Sequence, residues 1–322
     1  MKAIAQTEYG PPDVLRLTEV DRPVVRDDTV LVRVRATSVN AGDWHLMRGR
    51  PLIARLMMGG LLKPKIKVIG FDVAGTVEAV GKNVAGFQAG DAVFGDLSEC
   101  GFGAFAEYAA ATEAALSLKP ANLTFEEAAA VPGAALTALQ ALRDTGNVQP
   151  GQQVLINGAA GGVGSFAVQI AKASGANVTA VCSRSKMERI RSLGADCVID
   201  YDQVDFAQKE AYDLIVDGAA YRPVFDYLPV LKSGGTYVLV GGAIARLFQV
   251  MILGSLISKI SGRTVKSFMA KPHSTDLATL RELIEAGKIV PLIDSLYDLA
   301  DVPAAIHRLE QRQVVGKSVI RV

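Results

Sequence analysis

The stretch that decides the fold runs Val154-Leu-Ile-Asn-Gly-Ala-Ala-Gly-Gly-Val-Gly-Ser165. An apolar, β-branched run stops at a cluster of glycines, and apolar residues then recur at helical spacing from Val163 to Ile170. A strand, a glycine turn and a helix in this order present backbone N–H groups that have no partner within the helix, where the helix dipole adds partial positive charge. Such a turn binds a pyrophosphate, because glycines let the backbone approach the anion without a Cβ in the way.

The glycines of this turn match the dinucleotide-binding pattern with one exception. The sequence is Ala159-x-Gly161-x-x-Gly164, with alanine in the usual position of the first glycine. A purely structural turn is the alternative, but the strand before it, the helix after it and the strand signals downstream favour a nucleotide site. The predicted cofactor-binding residues of the turn are Ala159, Gly161, Gly162, Val163 and Gly164.

The composition is that of an ordinary globular protein with room for two domains. The chain has 322 residues, of which 50% are hydrophobic and 21% are charged. A formal net charge of +1 gives no electrostatic case for binding nucleic acid or an anionic membrane. Three cysteines without paired spacing, and a beginning unlike a secretory signal, predict a reducing compartment, so we expect a cytoplasmic protein.

One apolar segment, from Leu247 to Ile260, tests this interpretation. It is shorter than the roughly 20 apolar residues that span a bilayer, so we expect no membrane span. Three roles remain open for it: a buried or interface helix pair, a wall of an apolar substrate pocket, or a membrane-surface patch. The first role is the most common for runs of this length.

The order of predicted elements divides the chain into two domains. The first third reads as short strands separated by Gly, Pro and Asp turns, which indicates a compact barrel-like domain. From Gln153 onward strands alternate with helices, which is typical of a parallel sheet covered on both faces. The segment after Pro272 has too few elements for a domain of its own and is expected to return to the first one. The predicted boundaries are residues 1–121 with 271–322, and residues 122–270.

Three local patterns make sharper predictions about individual elements. Thr124-x-x-Glu127 is a capping box that predicts the beginning of a helix. The segment Tyr221–Leu231 is interpreted as a helix, and Arg263–Met269 as a sixth strand at the edge of the parallel sheet. Pairing of that edge with its twin across a twofold axis would cover it, so we expect a homodimer.

Further motifs occur in the order of a known family. They are Ser38-Val-Asn-Ala-Gly-Asp43, Gly70-Phe-Asp-Val-Ala-Gly-Thr-Val-Glu78, Gly90-Asp-Ala-Val93, Phe105-Ala-Glu-Tyr108, Arg191-Ser-Leu-Gly-Ala-Asp196 and Gly316-Lys317. Together with the glycine turn they cover essentially the whole chain, which resembles the medium-chain dehydrogenase/reductase superfamily. The resemblance implies an α/β protein with a doubly wound Rossmann sheet and a β-rich, GroES-like catalytic domain completed by the C-terminal tail.

Differences from the zinc enzymes of that superfamily indicate the branch. Those enzymes carry a catalytic cysteine where this chain has Asn40, and Gly-His-Glu where it has Gly70-Phe71-Asp72. Asn and Phe do not replace thiolate and imidazole as zinc ligands, so we expect no metal site. The sequence resembles the zinc-independent, quinone-oxidoreductase-like branch.

The end of the second strand of the parallel sheet decides the cofactor. An NAD-specific site needs an acid there to accept from the ribose 2′-OH. This chain instead has Ser183, Arg184 and Lys186, a hydroxyl and two cations suited to a 2′-phosphate, so we predict NADPH. The alternative is that both cations are solvated charges at a helix start. Tyr201 follows the third strand, where related reductases use a tyrosine near the adenosine phosphate, or it is a half-exposed aromatic at a strand end.

The resemblance also implies residues around the nicotinamide, at a cleft between the domains. Asn and Asp are common turn residues as well, so a purely structural role is the alternative for the polar ones. The implied catalytic residues are Asn40, Asp43 and Trp44, and the implied cofactor-binding residues are Thr137, Gly241 and Gly242.

The expected activity is NADPH-dependent, metal-free hydride transfer to a small quinone or α,β-unsaturated carbonyl substrate, whose conjugation takes the place of a Lewis acid. Tyr108, Asp43 and His45 are nominal proton donors, with water as the alternative. Two other functions stay open. One is an alcohol dehydrogenase or ketone reductase, and the other is an NADPH-binding structural or redox-sensing protein with little turnover.

Overall fold

The computed structural model describes residues 1–52, 55, 60–205 and 212–322. Two compact units share the chain: residues 1–136, 271–287 and 291–322 form the first, and residues 137–270 with 288–290 form the second. The first unit extends past the predicted boundary at residue 121. The reason is that the Asn122 side chain donates to the Ile284 carbonyl and the Gly133 N–H donates to Asp72, all within the first unit.

The first unit is built on a seven-stranded sheet with the order β14-β15-β3-β4-β5-β7, in which β6 also pairs with β3. A separate two-stranded sheet joins β1 and β2. The strands of the first unit are β1 (Lys2–Ala5), β2 (Arg16–Glu19), β3 (Thr29–Ser38), β4 (Asp72–Val80), β5 (Ala92–Asp96), β6 (Tyr108–Thr112), β7 (Leu116–Leu118), β14 (Ile293–Asp298) and β15 (Lys317–Arg321). Its helices are α1 (Ala41–Arg48), α2 (Phe125–Ala129), α3 (Pro132–Gln140, which continues into the second unit), α7 (Ser274–Glu285) and α8 (Val302–Glu310).

The C-terminal tail completes this unit, as predicted. Strand β15 lies antiparallel to β3, with Ile320 opposite Thr37, and β14 extends the sheet from there. The capping box is also confirmed, since the Thr124 hydroxyl accepts from the Glu127 N–H at the beginning of α2. Helix α1 was not predicted. It ends at Gly49, which adopts the left-handed conformation at φ 59°.

The second unit is a six-stranded sheet in which every pairing is parallel, with the order β10-β9-β8-β11-β12-β13. This is the strand order of a Rossmann fold, and its switch point lies between β8 and β11. The strands are β8 (Gln153–Asn157), β9 (Asn177–Cys182), β10 (Cys197–Asp200), β11 (Tyr212–Asp217), β12 (Leu231–Leu239) and β13 (Thr264–Ser267), and the helices are α4 (Gly162–Ala173), α5 (Met187–Arg191) and α6 (Ile244–Ser261).

Two predictions about the second unit are wrong. The segment Tyr221–Leu231 forms two single 3-10 turns instead of an α-helix, because Pro223 and Pro229 interrupt helical hydrogen bonding. The apolar segment is one long helix, α6, and it is not a buried helix pair. Only Val250, Gly254 and Ile257 of α6 are buried, because one narrow face packs on β13.

Candidate functional site

The glycine turn of the second unit has the shape of a phosphate cradle. Gly158 follows β8 with φ 78°, and Gly161 is the N-cap of α4. A Cβ at Gly164 would lie 2.2 Å from the Gly158 carbonyl oxygen, so this glycine permits the close packing of helix on strand. A Cβ at Gly161 would meet only that same oxygen, at 3.4 Å, which leaves the front of the turn open.

The beginning of α4 supplies the donors of the cradle. The Ser165 N–H already bonds to the Gly161 carbonyl at 2.9 Å. The amides of Gly162, Val163 and Gly164 precede it, and the first N–H groups of a helix have no acceptor within that helix. Three such amides at the positive end of a helix of 12 residues fit a diphosphate.

The ends of β9 and β10 bring the predicted 2′-phosphate residues to one edge of the same sheet. Ser183 precedes a single 3-10 turn that contains the exposed Arg184 and the half-buried Lys186. The Tyr201 N–H donates to the Cys182 carbonyl at 3.3 Å, so Tyr201, which is 50% exposed, lies beside this turn. The structure therefore groups all four predicted residues at the carboxyl ends of neighbouring strands.

The Cys182 thiol has low reactivity. Burial and, second, the charge of Asp200 raise the pKa of its thiol to about 11. The thiolate is the reactive form of cysteine, so this residue is poorly suited to redox sensing at neutral pH.

The loop after β12 also approaches the switch point closely. Gly242 has φ 103°, and a Cβ there would lie 2.2 Å from the Ala219 carbonyl oxygen. Gly241 is exposed, and its Cβ position meets the Gly218 oxygen at 3.3 Å. The tight approach of this loop to the one that follows β11 thus requires glycine at Gly242, and leaves little room for a side chain at Gly241.

A buried hydrogen-bond network, which the sequence analysis did not predict, holds the loop after β11 in place. Asp217 accepts from the Asn157 amide at 2.8 Å and from the Tyr237 hydroxyl at 2.8 Å. It also accepts from the Ala219 and Ala220 N–H groups. Burial and, second, the charge of Asp217 raise the pKa of Tyr237, so that hydroxyl keeps its proton. We refer to these residues, together with Tyr227, as the Asp217 cluster; the Asn157 amide also donates to Tyr227 at 3.0 Å.

The first unit holds a second buried carboxylate, Asp72, on β4. Its oxygens accept from the Ser38 hydroxyl at 2.5 Å, the Asn40 amide at 2.8 Å and the Gly133 N–H at 2.7 Å. The Lys317 ammonium lies 3.0 Å from the same carboxylate and is 4% exposed. We call this set the Asp72 cluster. A cation and the beginning of α3 both stabilise its negative charge.

Asn40 belongs to the Asp72 cluster. Its amide nitrogen donates to Asp72, and its amide oxygen accepts from Lys317 at 2.5 Å. The backbone N–H of Asn40 donates to the Asp43 carboxylate at 2.7 Å, which closes the first turn of α1. The Asn40 side chain is therefore used to hold α1 against β4 and β15.

Two further acids near Asp72 have raised pKa values. Asp43 is fully buried, and burial, with a smaller contribution from the charge of Asp72, raises its pKa well above the ordinary range. Its Oδ1 has no hydrogen-bond partner in the part of the chain that the structure describes. Burial and then the charge of Asp72 raise the pKa of Asp96 to about 6. Both side chains are buried, Asp43 completely and Asp96 to all but 7%.

The remaining predicted residues lie where their elements place them. Trp44 is half-buried on α1, with its ring centroid 3.9 Å from that of His45. Burial lowers the pKa of His45, and its Nδ1 lies 3.0 Å from the Arg50 carbonyl, which fits a neutral ring. Thr137 is half-buried in the second turn of α3 and is the first residue of the second unit.

Comparisons with known proteins support the same architecture. Residues 26–121 match the family model described as alcohol dehydrogenase GroES-like domain, and residues 193–320 match the model described as zinc-binding dehydrogenase. The 2-methylene-furan-3-one reductase of Solanum lycopersicum is 34% identical over 99% of this chain and 79% of the relative. The chain belongs to the medium-chain dehydrogenase/reductase superfamily. Within this superfamily it belongs to the quinone-oxidoreductase-like branch, and it is an oxidoreductase.

Two more relatives show the spread of this branch of the medium-chain dehydrogenases/reductases. A chloroplastic NADPH-dependent alkenal/one oxidoreductase of Arabidopsis thaliana is 32% identical over 99% of this chain and 79% of the relative. The structure of the quinone oxidoreductase from Coxiella burnetii superposes with a TM-score of 0.88, at 29% identity, over 100% of this chain and 99% of the other.

Sequence reasoning missed the residues that surround the predicted ones in this medium-chain dehydrogenase/reductase. Lys317 and Asp72 were both inside quoted motifs, but nothing local shows that they meet. Asn157 and Asp217 could have been predicted to lie close together, because each is the last residue of a parallel strand and the two strands flank the switch point.

Proposed function

We propose that this chain reduces quinones and carbon–carbon double bonds conjugated to a carbonyl, with NADPH as the reductant and without a metal. The observation that carries the proposal is the open glycine cradle at the switch point, with Arg184 and Lys186 on the neighbouring strand end. The names of the relatives, a quinone oxidoreductase and an NADPH-dependent alkenal/one oxidoreductase, supply the substrate class.

The residues present fit NADPH. The amides of Gly162, Val163 and Gly164 would bind the diphosphate, and Arg184 and Lys186 the 2′-phosphate. Ser183 and Tyr201 would add hydroxyl contacts at the same edge, while Thr137, Gly241 and Gly242 would contact the nicotinamide half. When bound, NADPH supplies a hydride equivalent to an electrophilic carbon.

The donor set in the first unit favours chemistry without zinc. Asn40 and Phe71 stand where the resemblance places thiolate and imidazole ligands, and neither replaces them. The Lys317 ammonium already lies 3.0 Å from Asp72, so a second cation at this carboxylate would meet like charge. A conjugated acceptor suits such a site, because its own conjugation delocalises the developing charge.

The residues at the beginning of α1 position this helix and exclude water from the substrate. They do not deliver the proton. Asn40 is held by Lys317 and Asp72 and acts as a positioning residue for α1. Trp44 offers a half-buried apolar face to a substrate. Because Asp43 is buried and His45 is neutral, we assign the proton to water.

The test separates cofactor binding from folding. Gly161 has φ −81° and ψ 173°, which any residue adopts, and its Cβ position is open. Gly161→Ala should therefore fold normally and lose NADPH and NADH affinity alike, because the methyl group occupies the space of the phosphate. Arg184→Asp should lose roughly 10–100-fold in NADPH affinity and little in NADH affinity. Arg16→Asp, at an exposed arginine of the first unit, is the control.

The readouts are cofactor titration by fluorescence and NADPH absorbance during turnover of a panel of quinones, enals and cyclic enones. Equal losses of both cofactors in Arg184→Asp would refute the assignment of the 2′-phosphate site. NADPH binding without turnover of any panel member would favour the binding-protein alternative. Stoichiometric zinc in the purified protein would refute the metal-free mechanism.

We also propose a cytoplasmic homodimer. Strand β13 pairs only with β12 among the described strands, so its outer edge is open to a second copy. The three cysteines are free, as expected in a reducing compartment. Light scattering after size exclusion tests the dimer, and a monomer at micromolar concentration would refute it.

A further inference from the structure

Helix α6 carries an apolar face that nothing in the described chain covers. Its buried side is narrow and rests on β13, where the Gly254 Cβ position is 3.1 Å from the Val265 carbonyl oxygen. On the opposite side Met251 is 63% exposed, Ile252 is 72% exposed and Ile260 is 78% exposed. Phe248 and Leu256 on the same helix are also exposed. A contiguous apolar surface of this kind on a globular unit marks an interaction site.

The charge around this face is mainly positive, although Asp226 is exposed in the neighbouring 3-10 turn. From Tyr227 to Thr275 the chain contains no Asp or Glu, although the whole protein has a net charge of only +1. The cations of this segment are Lys232, which is paired with Asp213, and Arg246, Lys259, Arg263, Lys266 and Lys271. Lys259 is exposed on the outer side of α6 and has no ion-pair partner among the described residues. The partner that complements such a surface is apolar and negatively charged.

We propose that α6 docks this protein on the surface of an anionic lipid bilayer. The exposed apolar side chains would enter the boundary between headgroups and acyl chains, and the cations would lie at the level of the phosphates. The proposal does not rest on the proposed reductase activity. The expectation from net charge, that the chain has no case for an anionic membrane, is thereby reversed for this one segment.

The helix lies on the membrane and does not cross it. By length and composition α6 is the one helix in the described part of the chain that could span a bilayer, and 17% of it is buried. However, its 18 residues reach only about 27 Å, and Val250, Gly254 and Ile257 stay packed on the sheet. A helix with one face held by protein cannot be surrounded by lipid, so its free face is presented in the plane of the interface.

A second copy of the chain fits this face less well than lipid does. A twofold axis through the outer face of α6 would place Lys259, which is exposed on that face, opposite its own copy, and α6 has no acid to pair with it. Like charges across an interface oppose association. The outer edge of β13 remains available for the proposed dimer.

The experiment is vesicle binding by the full chain. Phosphatidylcholine vesicles with and without phosphatidylglycerol are sedimented with the protein at low and high salt. We expect binding to the anionic vesicles, weaker binding at high salt, and at least tenfold weaker binding to phosphatidylcholine alone. Phe248→Trp adds a second readout, since the introduced indole should shift its emission to the blue and be quenched by brominated acyl chains.

Matched variants locate the contact. Ile252→Ser and Ile260→Ser should each weaken vesicle binding roughly tenfold, because both side chains are solvent-exposed in the free protein and buried in lipid. The control is Val24→Ser, which removes a side chain that is 79% exposed on the first unit. Lys259→Glu should weaken binding roughly tenfold, whereas Lys63→Glu, at an exposed lysine of the first unit, should not.

Three outcomes would overturn the proposal. They are the absence of binding to anionic vesicles, equal binding to neutral vesicles, and unchanged binding in the α6 variants. A change of molar mass in Ile252→Ser without vesicle binding by the parent would identify the face as a subunit interface instead. NADPH turnover with a water-soluble quinone, measured on the same samples, should be equal in all the variants, which keeps this test separate from that of the enzyme activity.

Discussion

Each unit contains a buried carboxylate that binds several hydrogen-bond donors, Asp72 at the beginning of β4 and Asp217 at the end of β11, and the two are stabilised by different means. The Asp72 cluster pairs its carboxylate with the ammonium of Lys317, a residue of the last strand. The Asp217 cluster contains no cation, and neutral amide and hydroxyl groups together with backbone N–H groups surround its carboxylate.

This difference follows from what each carboxylate holds in place. Asp72 joins β4 to β15 and to the beginning of α1, which are distant in the chain, through charge and through the Asn40 amide. Asp217 organises the loop that follows its own strand, so its donors come from Ala219, Ala220 and the neighbouring strands. A long-range junction is thus stabilised by an ion pair, and a local loop is stabilised by neutral hydrogen bonds.

The largest difference in stability between the two clusters is expected from a substitution of Lys317. Lys317→Met leaves the Asp72 charge buried without its cation, and we expect a loss of about 3–5 kcal/mol in the free energy of unfolding. Urea unfolding followed by Trp44 fluorescence measures it, because the single tryptophan lies in the first unit.

Two variants control the Lys317 experiment. Lys82→Met removes one partner of an exposed pair, with side chains 71% and 59% exposed, and should cost less than about 1 kcal/mol. Adding Asp72→Asn to Lys317→Met should recover part of the loss. If the double variant were less stable than the single one, the ion pair would not be what the ammonium contributes.

In the Asp217 cluster, we expect a loss of stability when the buried donors lose their acceptor. Asp217→Asn keeps the shape but turns an N–H₂ group toward groups that themselves donate, so we expect a loss of about 3 kcal/mol. Near-UV circular dichroism of the buried tyrosines reports on the unit. Asp144→Asn, in a pair whose side chains are 44% and 49% exposed, is the control, and equal losses in the two variants would contradict the role of Asp217.

The pH dependence of stability sharpens the comparison, because Asp43 and Asp96, the two described aspartates with raised pKa values, both lie near the Asp72 cluster. Asp96 binds its proton more tightly in the folded chain, with a pKa of about 6, than in the unfolded chain. The folded state therefore holds more protons between about pH 4 and pH 6, and the free energy of unfolding falls as the pH rises through this range.

Asp96→Asn should reduce that fall, leaving the contribution of Asp43, and stabilise the protein at pH 7 by on the order of 2 kcal/mol. Thermal or urea unfolding at a series of pH values, with Trp44 as the probe, makes the measurement. A free energy of unfolding that rises from pH 4 to pH 6 in the parent, or an unchanged slope in the variant, would contradict the assignment.

The smallest effects come from single hydroxyl groups. Ser38→Ala should cost about 1 kcal/mol, because a cation and two other donors remain at Asp72. Tyr237→Phe should cost about 2 kcal/mol, because no cation compensates at Asp217. The reverse order in urea unfolding would show that the ion pair does not make the first carboxylate less dependent on its hydroxyl partner.

Patterns between near neighbours predicted much of the fold. The parallel sheet, the glycine turn, the edge strand and the returning tail follow from period, turn chemistry and order. The helix predicted over 221–231 does not form, because Pro223 and Pro229 prevent continuous helical hydrogen bonding. Helix α1 was missed because a turn motif, Ser38 to Asp43, obscured its first turn.

In the candidate site, too, local patterns predicted some residues, and contacts between distant parts of the chain could not be predicted. The residues around the glycine turn could be predicted because each follows directly from a strand end. Asn40 could be named from its motif, but its partners could not, since Lys317 reaches it from the other end of the chain. The exposure of α6 was also hidden, because an apolar run has the same sequence whether a core covers it or not.

The sequence by itself determined the strand, the glycine turn and the helix that follows it, and the cations at the neighbouring strand end. Backbone conformation at glycine, and the dipole of the helix that follows, depend on adjacent residues. Only the tertiary structure decided that Lys317, Asp72 and Asn40 share one buried cluster, and that the apolar side of α6 faces outward. Burial and the pairing of distant charges are properties of packing, which brings together residues that no local pattern connects.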